Sequence, residues 1–83
     1  MEIAIKLLDE LINDRTIPRN IRRVAEQAKL ELLNNDKPID LRVSAAIHLL
    51  DEVVNDPNMP LYGRTRIWNI VSILEKIRSK AEK

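Results

Sequence analysis

Residues 4–22 read Ala4-Ile5-Lys6-Leu7-Leu8-Asp9-Glu10-Leu11-Ile12-Asn13-Asp14-Arg15-Thr16-Ile17-Pro18-Arg19-Asn20-Ile21-Arg22, and the chain writes them again 42 positions later. Ala46-Ile47, Leu49-Leu50-Asp51-Glu52, Asn55-Asp56, Pro60 and Arg64 restate their counterparts, ten identities in nineteen ungapped positions. Several mismatches are conservative, with Val53 for Leu11, Val54 for Ile12 and Met59 for Ile17. A period of this length is the mark of repeated helical hairpins.

The apolar residues keep helical time. At 100° per residue Ala4, Ile5, Leu7, Leu8, Leu11 and Ile12 share one arc, and Glu2, Lys6, Asp9, Glu10 and Asn13 the other. Ala46, Ile47, Leu49, Leu50, Val53 and Val54 repeat that split against Ser44, His48, Asp51, Glu52 and Asn55. Breaks at Asn13-Asp14, Asn34-Asn35-Asp36-Lys37-Pro38 and Asn55-Asp56-Pro57-Asn58-Met59 predict four helices, with Pro18 and Pro60 opening the second and fourth. The expected spans are roughly Glu2–Asn13, Pro18–Leu33, Ile39–Val54 and Pro60–Ser79, with Lys80-Ala81-Glu82-Lys83 frayed.

Short connections make successive helices antiparallel. Leu41-Arg42-Val43-Ser44-Ala45-Ala46-Ile47-His48-Leu49-Leu50 reads like a HEAT or armadillo helix. Two hairpins are too few for a solenoid to bury its faces, which favours closure around one core. The expectation is one all-α domain over residues 1–83: an up-down-up-down four-helix bundle of two tandem hairpins, about 1–34 and 39–79, with a HEAT-like internal repeat.

Composition narrows the chemistry. The 83 residues hold no Cys, one His and one Gly, and carry a net charge of +1. Thiolate catalysis, disulfides and cysteine-bound metals are thereby excluded. Gly63 alone cannot build a glycine-rich phosphate loop. His48 falls on a polar arc and has no Glu one turn before it, so no Glu-x-x-His metal pair exists. We expect no catalytic residue, no metal, no cofactor and no enzymatic activity. The chain lacks an apolar run of bilayer length and a signal-like start, so the expected setting is soluble and cytoplasmic.

Two segments carry a resemblance. Pro18-Arg19-Asn20-Ile21-Arg22-Arg23 with Ala25-Glu26 and Ala28-Lys29 is one. Asn55-Asp56-Pro57-Asn58-Met59-Pro60 followed by Arg64-Thr65-Arg66-Ile67-Trp68-Asn69-Ile70-Val71 is the other. Over nearly its whole length the chain resembles uncharacterised protein family zero-one-four-seven, a set of small archaeal proteins. The resemblance implies an archaeal source and a compact four-helix fold, and it implies no activity.

Three surface features invite a function. The duplicated acids Asp9-Glu10, Asn13-Asp14, Asp51-Glu52 and Asn55-Asp56 could ligate a hard cation. Their duplication alongside Arg22 and Arg64 favours ion pairs across each hairpin instead. Arg15, Arg19, Arg22 and Arg23 cluster where positive charge opposes the helix dipole, which suits a weak RNA- or ribosome-associated role. No aromatic residue stands nearby to stack a base. The third feature is asymmetry: Glu26, Lys29 and Glu31 in the first repeat become Trp68, Val71 and Ile73 in the second. Trp68 either caps the core or joins Leu61, Arg64 and Val71 in a docking face. The favoured reading is a non-enzymatic protein–protein interaction or scaffold module acting through its fourth helix, as a homodimer or with a partner protein. Nucleic acid is the second reading, and no membrane role is expected.

Overall fold

A computed structural model describes residues 1–81. The helices are α1 (Glu2–Ile12), α2 (Arg19–Leu32), α3 (Ile39–Val54) and α4 (Leu61–Ala81), with no strand among the described residues. Helix α4 runs past its expected end at Ser79, so Lys80 and Ala81 are helical rather than frayed; Glu82 and Lys83 lie outside the described residues. Its 21 residues rise about 32 Å, most of the 37 Å long axis of the molecule.

Each helix packs on its chain neighbours, and α4 returns to α1. That last seam closes the ring and makes a bundle rather than a stack. Helices α1 and α3 lie on one diagonal, α2 and α4 on the other.

The core obeys the repeat. Ala4 and Ala46, Leu8 and Leu50, Leu11 and Val53, Ile17 and Met59, Ala25 and Ile67, Ala28 and Ile70, and Leu32 and Leu74 are buried at equivalent positions. Sizes differ across the diagonal: α2 offers Ala25 and Ala28 where α4 offers Ile67 and Ile70.

All three connections use one turn. Asp14, Asn34 and Asp56 each accept through the side chain the backbone N–H two residues on, from Thr16 (2.9 Å), Asp36 (3.1 Å) and Asn58 (2.8 Å). Each also accepts through its own carbonyl the N–H three residues on. This is the turn that Asp and Asn side chains stabilise. Pro18, Pro38 and Pro60 follow, lacking an N–H to prolong the turn. Their carbonyls accept the first intrahelical bonds, from Arg22, Arg42 and Arg64. Proline therefore stands one position before the helix proper, rather than within its first turn as expected.

The duplicated Asn-Asp turns tie one hairpin to the other. Arg66 of α4 donates to Asp14 at 2.8 Å, and Thr16 and Tyr62 share a hydroxyl hydrogen bond. Asn20 of α2 donates to Asp56 at 3.0 Å. The expected pairing of Arg22 and Arg64 with the duplicated acids is thus corrected. Side chains near a helix start lean back over the preceding turn; Arg64 there donates to the Asp56 carbonyl at 3.2 Å. Asp9 is taken instead by Lys29, at 2.6 Å.

Asp14 is held in its charged form by its surroundings. The Thr16 hydroxyl and N–H, with the Arg66 guanidinium, hold its carboxyl below the ordinary aspartate range against the opposing effect of burial. A depressed folded-state pKa stabilises the fold above the unfolded value, about 3.9, and that contribution vanishes as pH falls through the folded value. Asp14→Asn keeps the turn, as Asn34 shows, and removes the charge together with the oxygen that accepts from Arg66. It lowers the melting temperature at pH 7, and the gap to wild type narrows as pH falls below about 4. A gap unchanged down to pH 2 would sink this account.

Candidate functional site

Helix α4 presents two faces. Ile67, Ile70, Val71 and Leu74 point inward and are buried. Leu61 and Trp68, seven residues apart, fall on one outward stripe and are 74 % and 55 % exposed. A side chain as large as Trp left more than half exposed in mid-helix does not cap a core. Glu75, seven residues after Trp68, continues that stripe about two turns beyond, and Arg64 borders it.

Val71 does not belong with them. It is 8 % exposed and part of the core. The repeat explains the difference. Val71 stands where Lys29 stands in the first hairpin, at a half-buried position rather than a surface one. Lys29 fills it as the cationic partner of Asp9; Val71 fills it as a hydrophobe. Of these three exchanges, only that of Glu26 for Trp68 places an apolar side chain on an exposed position.

The arginine cluster splits likewise. Arg19, Arg22 and Arg23 line an open cleft of about 280 Å³ beside Ile12 and Glu26. Arg15 lies in the α1–α2 turn, exposed and outside that lining. The cleft residues Arg19, Arg22, Arg23 and Glu26 are the repeat counterparts of Leu61, Arg64, Thr65 and Trp68. One structural position therefore occurs twice, once basic and once apolar. A shift of 42 superimposes the two clusters.

The duplicated acids assemble no cation site: among the described residues, no three His, Cys, Asp or Glu side chains converge as metal ligands would. His48 is exposed and faces Glu52, one turn along α3, at 3.3 Å. No described helix is long and apolar enough to cross a membrane.

Comparison with known proteins gives a family and no activity. The family model described as Uncharacterised protein family (UPF0147) matches residues 1–77. A UPF0147 protein of Methanocaldococcus jannaschii is 56 % identical over 72 residues, 87 % of this chain and 77 % of that one. Another, of Archaeoglobus fulgidus, is 43 % identical over 77 residues, 93 % and 87 % of the two chains. The crystal structure of a family member from Thermoplasma acidophilum matches with a TM-score of 0.89 at 42 % identity, covering 92 % of this chain and 89 % of that one. A second crystal structure, described as a protein of unknown function, matches with a TM-score of 0.87 at 44 % identity, covering 89 % and 84 %.

Proposed function

The chain belongs to the uncharacterised archaeal protein family UPF0147, and we propose that it is a non-enzymatic protein–protein interaction module that docks through α4. The observation that carries this reading is Trp68, more than half exposed in the middle of a helix whose opposite face is the core. Aromatic anchors of this kind dominate interface energetics because they bury a large area with little side-chain entropy to lose. Leu61 extends the apolar stripe by two turns, and Thr65, Asn69 and Ser72 surround it with neutral polar groups. The composition is that of an apolar centre within a polar rim.

The occupant this stripe suits is a second copy of the chain. Arg64 lies toward its N-terminal end and Glu75 toward its C-terminal end. An antiparallel copy would bring each Glu75 toward the other chain's Arg64 and the two Trp68 rings toward the dyad. That is the self-complementarity a two-fold interface needs. Flanking charges set orientation and encounter rate more than affinity.

Sedimentation across concentration tests it. Wild type is expected to shift from monomer to dimer as concentration rises. Trp68→Glu is expected to remain monomeric with its helical signal and melting temperature intact, since the side chain adds little to the core. Strictly monomeric wild type would remove self-association through α4. Unfolding of Trp68→Glu would make the ring a packing residue and take away the anchor.

A further inference from the structure

We propose that the cleft between the end of α1 and the start of α2 binds a phosphate group. This inference stands apart from the docking reading, on the other copy of the repeated position. Arg19, Arg22 and Arg23 occupy positions i, i+3 and i+4 of α2, so their guanidiniums converge on one patch. Together with Ile12 and Glu26 they enclose an open volume of about 280 Å³, room for a phosphate and the group that carries it. Three cations face one carboxylate there. Among the described residues, none of the three arginines is in an ion pair.

Arg22 is the centre of the argument. Its Nε is shielded from solvent and has no hydrogen-bond partner. Arg64, its repeat counterpart, also has a shielded Nε without a partner. Yet Arg64 anchors its guanidinium on the Asp56 carbonyl, an anchorage that Arg22 lacks. Arg22 is therefore half-buried with its donors uncommitted, beside two further guanidiniums. Guanidinium donors fork to match phosphate oxygens, and charge-assisted bonds of this kind are the strong ones.

The repeat supplies an internal control. Helix α4 begins from the same turn and the same proline with Leu61 and Thr65 where α2 has Arg19 and Arg23. The fold therefore does not require arginine at these positions. Clustered like charges one turn apart destabilise a helix, and α2 has neither an acidic residue in its first turn nor a side-chain cap to offset them. A bound dianion would offset them directly.

The test follows the arginine Nε–H signals by NMR at low salt, titrating inorganic phosphate, with sodium chloride at matched ionic strength as control. The expected result is a saturable shift at Arg22 Nε–H in the millimolar range, absent with chloride and abolished in the double variant Arg19→Glu, Arg23→Glu. Both substituted side chains are exposed, so the fold should survive. If the double variant unfolds, Arg19→Gln with Arg23→Gln replaces it and is judged by the same loss of shift. A second arm adds single-stranded RNA without terminal phosphates. Competition at the same signals, weakening steeply with salt, assigns the phosphate to a nucleic-acid backbone. Saturation by phosphate without response to RNA assigns it to a small phosphorylated ligand. A shift that does not saturate, that chloride reproduces, or that persists in the double variant overturns the proposal.

Discussion

Leu8→Ala and Leu50→Ala each unfold the whole molecule in a single transition, at a stability cost of about 3 kcal/mol within the usual range for buried leucine. For a chain of this length the fall in melting temperature is roughly 10–25 °C. Both side chains are fully buried and occupy equivalent positions in α1 and α3. The truncation removes the transfer free energy of three carbons and leaves a cavity that a close-packed interior fills only in part. The two costs should be similar, because the repeat gives both leucines the same alanine neighbour four residues earlier, Ala4 and Ala46. Cooperativity is the sharper readout. In stacked repeats each unit contributes semi-independently, so damage to one hairpin can leave the other folded. Here α4 closes on α1 and the core is shared by all four helices. Calorimetry of Leu8→Ala should show one transition, with the helical signal of both hairpins lost together. Two transitions, with about half the helicity surviving the first, would mean that the hairpins fold as separate units.

The bundle was legible because its information is redundant. Each inward arc is written twice, and a duplicated arc of alternating Leu, Ile and Ala has one economical burial. Position along the chain was legible too, since every junction is punctuated by an Asp or Asn and a proline. The partners of the charges were not. Arg22 and Arg64 are duplicated with acids, and duplication suggested pairing; in three dimensions Arg64 leans over its own turn onto the Asp56 carbonyl, Arg22 is in no ion pair among the described residues, and Asp14 reaches Arg66 of the other hairpin. Ion pairing depends on side-chain direction and reach, which a linear spacing does not encode. Val71 was misread for a related reason. Its counterpart is charged, and a charged residue looks like surface, but Lys29 is itself half-buried against Asp9. Long cationic side chains bury their stems while the head finds a partner, so charge at one copy of a repeat does not certify exposure at the other.

The same duplication explains why two unlike surfaces arise on one scaffold. Core positions are constrained by volume in both halves and have kept their pattern. The positions held by Arg19 and Leu61, by Arg23 and Thr65, and by Glu26 and Trp68 face outward in both halves. Substitution there is nearly free of stability cost. The first hairpin fills them with guanidiniums around a cleft, the second with an apolar stripe. A test that disables one surface should therefore leave the other intact: Trp68→Glu should not alter a phosphate response, and Arg19→Glu with Arg23→Glu should not alter the solution mass.

Gly63→Val should be among the most damaging single substitutions outside the leucine core, at about 3 kcal/mol, the upper end of overpacking costs. Gly63 sits in the first turn of α4 with an ordinary negative φ, so backbone freedom is not what demands glycine. Space is. A Cβ placed there would lie 2.8 Å from the Met59 Sδ and 3.1 Å from the Ile17 Cδ1. These are buried side chains from the α3–α4 and α1–α2 turns, which meet α4 at this point. The repeat counterpart is Ile21, fully buried, so one half of the molecule projects a large side chain where the other half must leave a gap. Gly63→Ala sets two effects of similar size against each other. Helix propensity gains about 1 kcal/mol, and the clash with Met59 costs about the same once its flexible thioether shifts. Valine adds two methyl groups to a Cβ that already crowds both Met59 and Ile17. Met59→Ala removes the obstructing atoms, so the double variant Gly63→Val, Met59→Ala should be less destabilised than the sum of the single ones by about 1–2 kcal/mol. Denaturant melts of the four proteins close the cycle. Strict additivity would show that the two residues do not compete for the same space, and would leave the glycine to be explained by something other than the meeting of the two turns.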